Sequence, residues 1–377
     1  MGEIVAAAAG VHAPQLLSRP PFEDQAMLQA GIDALRRFGD VLDEVDAEVL
    51  IVIGTDHLEA FWLTAVPQFL LVVSENVEAR YASFSRTVGC HPALGAALLN
   101  GAMQRSIDLC YSQDASLGHA FLTPIEYVLG ERSLPVVPFL VNVYLPPLPT
   151  PRRCFEVGQA LRAVIDERPE RVAIFASGGM SHFPGTPRYY EPAPEFDRWV
   201  IQQVERGDWD ELLDLTPMQL DEVGEGELLT WFVMLGAIGP RPGHFLSFEQ
   251  LPHHDHAVVQ FLPPIAGSPS QSPDVPTYGG LALTQETYRY YQFPEPETFP
   301  MNRLLHRLVT DTAYRALFVT DRSAALADAT LEADERLQAE ADEFPALGLS
   351  AHPLLALSAR QLLEQERRAR GLTTRAI

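Results

Sequence analysis

Short apolar runs alternating with helix-period runs constrain this chain more than any other feature. Residues 3–9, 49–53, 69–74, 135–144 and 171–177 read as buried strands. Between the first two, Met27, Leu28, Ile32, Leu35, Phe38, Val41, Leu42 and Val45 recur at spacings of three and four, which predicts a helix. Residues 92–103 are rich in Ala and Leu and predict a second helix. A third is expected to begin at Pro124, and Phe155, Val157, Leu161, Val164 and Ile165 mark a fourth. Strands alternating with helices give an α/β fold, a central mixed sheet flanked by helices. Residues 263–276 read as a loop, and residues 279–284 as one more strand. A proline-rich stretch, 293–300, then leads into a charged helical tail. The expected division is a main domain over 1–290 and a small all-helical domain over 291–377.

Binding sites in such sheets lie where strands end and loops turn. His12, His57 and His182 each follow a predicted strand end, and His119 follows Gly118 in a loop. A further stretch, Val223-Gly-Glu-Gly-Glu-Leu-Leu-Thr-Trp231, places acids beside two glycines just before the apolar run Leu228–Ile238. That run reads as a buried helix, so a carboxylate at its start is held rigidly. Glu227 is favoured over Glu225 because it follows both glycines and leads directly into the helix. Taken singly, each acid reads as a helix start favoured by the dipole, and each histidine as a loop residue. Asp56 reads as a turn residue or as a partner for a ligand histidine. His91 and His244 read as structural, and Leu251-Pro-His-His-Asp-His256 as a short surface loop.

Composition excludes several classes. The formal net charge is -23 and the chain contains no lysine, all 27 basic residues being arginine. Nucleic acid and anionic membrane surfaces are therefore poor partners. Cys90, Cys110 and Cys154 are odd in number and widely spaced, which fits a reduced, cytoplasmic protein. The first residues lack the basic region of a signal peptide. No segment reaches the roughly 18 uninterrupted apolar residues of a membrane helix.

Two imidazoles and one carboxylate on one face of an ion, with other positions open, make the facial triad of non-haem Fe(II) oxygenases. His12, His57 and Glu227 are the candidate ligands. His119 and His182 remain as non-ligand histidines able to take and return a phenolic proton. The same His2Glu set also suits zinc, although the His-Glu-x-x-His helix of many zinc hydrolases is absent. A non-catalytic protein binding a metal or a partner is the third reading.

Five segments carry a resemblance: Gly10-Val-His-Ala-Pro14, Gly54-Thr-Asp-His57, Gly118-His-Ala-Phe121, Ser177-Gly-Gly-Met-Ser-His182 and Gly224-Glu-Gly-Glu-Leu-Leu-Thr-Trp231. In this order they resemble the class III extradiol ring-cleavage dioxygenases, the family of the protocatechuate 4,5-dioxygenase catalytic subunit. The tail from Met301 resembles that enzyme's small helical subunit, a fusion similar to gallate and 3-O-methylgallate dioxygenases. The resemblance implies that His12, His57 and Glu227 hold Fe(II) and that His119 and His182 carry acid–base chemistry. It also implies a small aromatic diol acid, gallate- or protocatechuate-like, and O2 as substrates, a homodimer, and a helical tail that covers the pocket. Leu117-Gly118 precedes His119 where some relatives carry an acid, so the partner of that histidine is left open.

Overall fold

The computed structural model describes residues 2–61, 65–265, 287–341 and 351–372. Eleven strands occur among them: β1 (Glu3–Gly10), β2 (Val49–Thr55), β3 (Phe69–Val72), β4 (Asn76–Tyr81), β5 (Phe84–Gly89), β6 (Cys110–Ser112), β7 (Ser116–Leu117), β8 (Val136–Val141), β9 (Arg171–Ser177), β10 (His244–Leu251) and β11 (His254–Leu262). Eight form one sheet in the order β10-β11-β1-β9-β2-β8-β3-β6, and β5-β4-β7 form a small second sheet.

The four central strands, β1, β9, β2 and β8, run parallel. Their carboxyl ends therefore open on the same edge, where a doubly covered sheet carries its site. β11 and β3 flank this block antiparallel, so the sheet is mixed. Such central strands need apolar residues on both faces. β2 is buried along its whole length, and Ala6 to Ala9 of β1 are fully buried.

Two apolar clusters sandwich the sheet. One gathers Leu28, Leu35, Phe38, Phe121 and Phe175 under the helix Gln25–Glu44. The other gathers Ile51, Phe139, Val157, Ile174, Trp231 and Phe232 under the helices Pro151–Ile165 and Leu228–Ile238. The Leu228–Ile238 helix is buried at every position, as its uninterrupted apolar run requires.

Two expectations differ from the structure, and one element had none. The helix expected from Pro124 begins at His119, and Pro124 lies inside it. Proline has no N–H, and the backbone widens at once into a π-type turn, Ile125–Leu129. The stretch around His253 is a tight turn in the β10–β11 hairpin, not a surface loop. Strand β11 is sandwiched between β10 and β1, so its histidines are buried. Asn76–Gly89, which had no assignment, is the β4–β5 hairpin. The strand expected at 279–284 lies outside the described residues.

From residue 291 onward the described residues form helices, including Phe299–Thr310, Thr312–Thr320 and Pro353–Ala369. They pack around Met301, Leu305, Leu308, Phe318, Leu355 and Leu363, with Leu58 and Leu145 joining from the first part of the chain. His352 caps this junction: its Nε2 donates to the Tyr144 carbonyl at 3.0 Å, and its Nδ1 is buried without a partner. Burial pushes this imidazole down to about 4. Between pH 6.5 and 4 the unfolded chain therefore binds the proton that the folded chain refuses, and stability falls as pH drops through that window. Relative to His352→Gln, the wild type should lose roughly 2 kcal/mol more between pH 6.5 and 5, read from urea unfolding at the two pH values.

Candidate metal centre and substrate pocket

The parallel strands deliver the predicted residues to one place. His12 follows β1, His57 follows β2, and the Gly178–His182 loop follows β9. Tyr144 lies three residues beyond β8. Glu227 occupies the N-cap position of the Leu228–Ile238 helix. Its carboxylate makes no capping bond to that helix, although it stands at the positive end of the helix dipole.

The geometry converges on one oxygen. Glu227 Oε1 lies 3.1 Å from His12 Nε2, 3.3 Å from His57 Nε2 and 3.4 Å from His182 Nε2. It also accepts the Tyr144 hydroxyl at 2.8 Å, while Oε2 accepts the Gly179 N–H at 2.6 Å. Glycine is needed for this approach: a Cβ on Gly178 would meet the Glu227 carbonyl and the Thr230 hydroxyl, each at 2.8 Å. Gly224 has φ +72°, and its carbonyl accepts the His182 N–H at 3.1 Å, tying the two glycine motifs together.

His119 joins from the start of its short helix. Ring nitrogens of His12, His57 and His119 lie within 4.8 Å of one another, so the three imidazoles form a second possible ligand set. Glu59 holds His119. Its two carboxylate oxygens lie 3.0 and 3.1 Å from Nδ1, and Oε2 accepts the His119 N–H at 3.1 Å. This fixes Nδ1 as the donor and leaves Nε2 facing the site. Asp56 is a turn residue: its carboxylate accepts the N–H groups of Glu59, Ala60 and Phe61. It shapes the loop that carries His57 and Glu59, and His57 Nδ1 has no hydrogen-bond partner.

Gly118 makes the Glu59 seat possible, because a Cβ there would lie 1.5 Å from Glu59 Oε2. Gly118→Ala should therefore displace Glu59 and free the His119 ring. We expect turnover to fall by roughly 10- to 100-fold with the bound metal unchanged, measured as kcat beside metal content.

Electrostatics separate the groups. Burial lowers His57 to about 3, reinforced by His119, so it is neutral. Burial raises Glu227, but His12 and His182 outweigh it and hold the carboxyl well below the usual range. His182 is likewise opposed by burial but held up by Glu227, by the Met180 carbonyl on its Nδ1 at 2.9 Å, and by Asp197. Burial pushes the Tyr144 phenol well above its ordinary value, so it stays a donor.

Two neighbours of the site, Tyr144 and Glu59, were not singled out from the sequence, and two more, His254 and His256, were assigned to a surface loop. Tyr144 closes the apolar run 135–144, and Glu59 follows His57 by two residues in a stretch with no assignment. His254 stacks on His182 at 4.0 Å, and His256 is buried with neither ring nitrogen partnered. Their i, i+2 spacing in β11 was the available signal.

The cavity at this edge is lined by His12, His57, His119, His182 and His254, and its outer wall includes Leu354, Leu357, Ser358 and Gln361 of the C-terminal helix. The donor set suits a divalent cation. A buried anionic carboxylate faces neutral imidazole, with no arginine among the described residues of the cavity wall.

A mixed sheet with buried imidazoles and one carboxylate at its parallel edge has the donor set of a metal-dependent enzyme. Residues 7–259 match the model of the family described as the catalytic LigB subunit of aromatic ring-opening dioxygenase, and the chain belongs to that family. It is 29% identical to gallate dioxygenase of Pseudomonas putida, over 66% of this chain and 77% of that protein. It is 30% identical to a 2,3-dihydroxyphenylpropionate/2,3-dihydroxicinnamic acid 1,2-dioxygenase of Klebsiella pneumoniae, over 41% of this chain and 48% of that protein. The Rhodococcus globerulus protein of the same name is 26% identical, over 45% of this chain and 53% of that one. The chain thus spans about half the length of these last two relatives. No helix among the described residues is long and apolar enough to cross a membrane.

Proposed function

We propose that this chain is a non-haem Fe(II)-dependent extradiol dioxygenase that opens the ring of a catecholic substrate with O2. The observation that carries the reading is the convergence of His12 Nε2 and His57 Nε2 on Glu227 Oε1 within a cavity that also holds His119 and His182. The relatives named for gallate and 2,3-dihydroxyphenylpropionate supply the substrate class, an ortho-diol on an aromatic ring. His12, His57 and Glu227 would hold the metal. A ferrous ion bound there supplies open coordination positions for the diol and O2, and a path for electrons between them.

The chain's own residues manage protons and water. His182 donates from Nδ1 to Met180, so Nε2 is the nitrogen that takes a diol proton. The Tyr144 hydroxyl lies 3.1 Å from that Nε2 and 2.8 Å from Glu227, holding both in register. His119, oriented by Glu59, presents Nε2 to the same space and serves as the acid that returns a proton to oxygen. Leu354 and Leu357 exclude water from the outer side. We take 1–290 as the catalytic unit and 291–377 as the helical unit that covers the pocket.

The three-imidazole cluster favours a second reading, zinc on His12, His57 and His119. Metal analysis after anaerobic purification, beside oxygen uptake against a panel of diols, separates the two. Ferrous iron with oxygen consumption supports the dioxygenase. Zinc retained at full occupancy with no oxygen uptake by the iron-loaded chain refutes it.

A further inference from the structure

We propose that the pocket selects an ortho-diol whose ring substituent is uncharged; this rests on the dioxygenase reading above and narrows its substrate. A diol acid such as gallate brings a carboxylate that must find a donor of opposite charge or lose its hydration unpaid. The chain has no lysine, so arginine is the only permanently cationic side chain available. None of the described residues lining the cavity is an arginine. Beyond the histidines, its polar wall is Gln15, Tyr81, Tyr189, Ser358 and Gln361, all neutral donors and acceptors.

Arg188 and Arg315, on segments next to the wall, are committed elsewhere. Arg188, between the lining residues Pro184 and Tyr189, donates to the carbonyls of Glu222 and Glu191 and lies over the Phe183 ring. Arg80 and Arg315 line an adjoining cavity, which also holds Glu59 and shares Tyr81 with this one. Arg315 is buried and donates to the carbonyls of Leu308 and Val309 and to the Thr312 hydroxyl. Glu59 presents a carboxylate on that side, which repels a second one. His253 lines the wall, but Glu23 holds its Nε2 at 2.8 Å, so any positive charge there is already matched. The first turn of the Pro353–Ala369 helix is the remaining attraction for an anion, equivalent to about half a charge. That does not balance a full carboxylate beside Glu59 and Glu227. Glutamine, serine and tyrosine side chains match a carbonyl, amide, ester or hydroxyl instead.

The test compares 3,4-dihydroxybenzoate with its methyl ester and its primary amide, which share the diol and differ in charge. Two readouts are taken on the full-length, iron-loaded chain: oxygen uptake as kcat/KM, and anaerobic binding by calorimetry. The ester and amide should bind more tightly and turn over faster than the acid, on the order of 10- to 100-fold. Gln361→Arg should move the preference toward the acid by about tenfold or more. Equal or better binding and turnover of the acid by the wild type would overturn the inference. Tighter binding of the ester with no oxygen uptake from any of the three would uphold the pocket's selectivity and overturn the reaction.

Discussion

His182→Phe is expected to keep its metal and to lose turnover, by about a thousandfold or more in kcat, the upper part of the range for a positioned general base. The fold tolerates the change. The His182 backbone N–H, bonded to the Gly224 carbonyl, is untouched, and a phenyl ring preserves the stack on His254. Tyr144 keeps its bond to Glu227. What disappears is Nε2, the nitrogen we propose takes the diol proton. Oxygen uptake under saturating diol, beside iron content, checks this. A variant that turns over at the wild-type rate would remove His182 from the mechanism, whatever its position.

Glu227→Ala acts on the other half of the site. It removes the oxygen on which His12, His57 and His182 converge, and with it the anionic group that opposes the metal's charge. Affinity for ferrous iron should fall by at least about a thousandfold, beyond the 10- to 100-fold typical of losing a group that merely orients a ligand. His119→Ala should leave iron affinity within roughly tenfold of wild type while lowering kcat, because Glu59 already holds that ring as an acid–base group. Iron titration under anaerobic conditions reads both. Loss of iron in His119→Ala, with retention in Glu227→Ala, would transfer the metal to the three imidazoles.

The contrast between these residues explains how far sequence reading reached. His12, His57 and His182 were legible because each stands where an apolar run stops beside glycine, and parallel strands bring such ends to one edge. Glu227 was legible because glycines isolate it in front of a fully apolar helix. Tyr144 was not, since a tyrosine at the end of 135–144 looks like core, and only the fold aims its hydroxyl at Glu227. Glu59 was hidden because its partner lies 60 residues away, across a contact that depends on Gly118 lacking a side chain. The histidines of β11 were misplaced on the surface because a His-His-Asp-His run carries no hydrophobic signal. They are buried by the strands on either side, a tertiary effect that overrides local polarity. The mixed sheet was readable from the strand–helix alternation. The β4–β5 hairpin was not, because its exposed residues dilute the period-two pattern.

The most direct measurement is anomalous diffraction at the iron edge from crystals grown and loaded without oxygen. A single ferrous ion is expected about 2 to 2.2 Å from His12 Nε2, His57 Nε2 and a Glu227 carboxylate oxygen, with His119 and His182 outside bonding distance. An iron peak bonded to His119 in place of Glu227, or no peak at this edge of the sheet, would contradict the account.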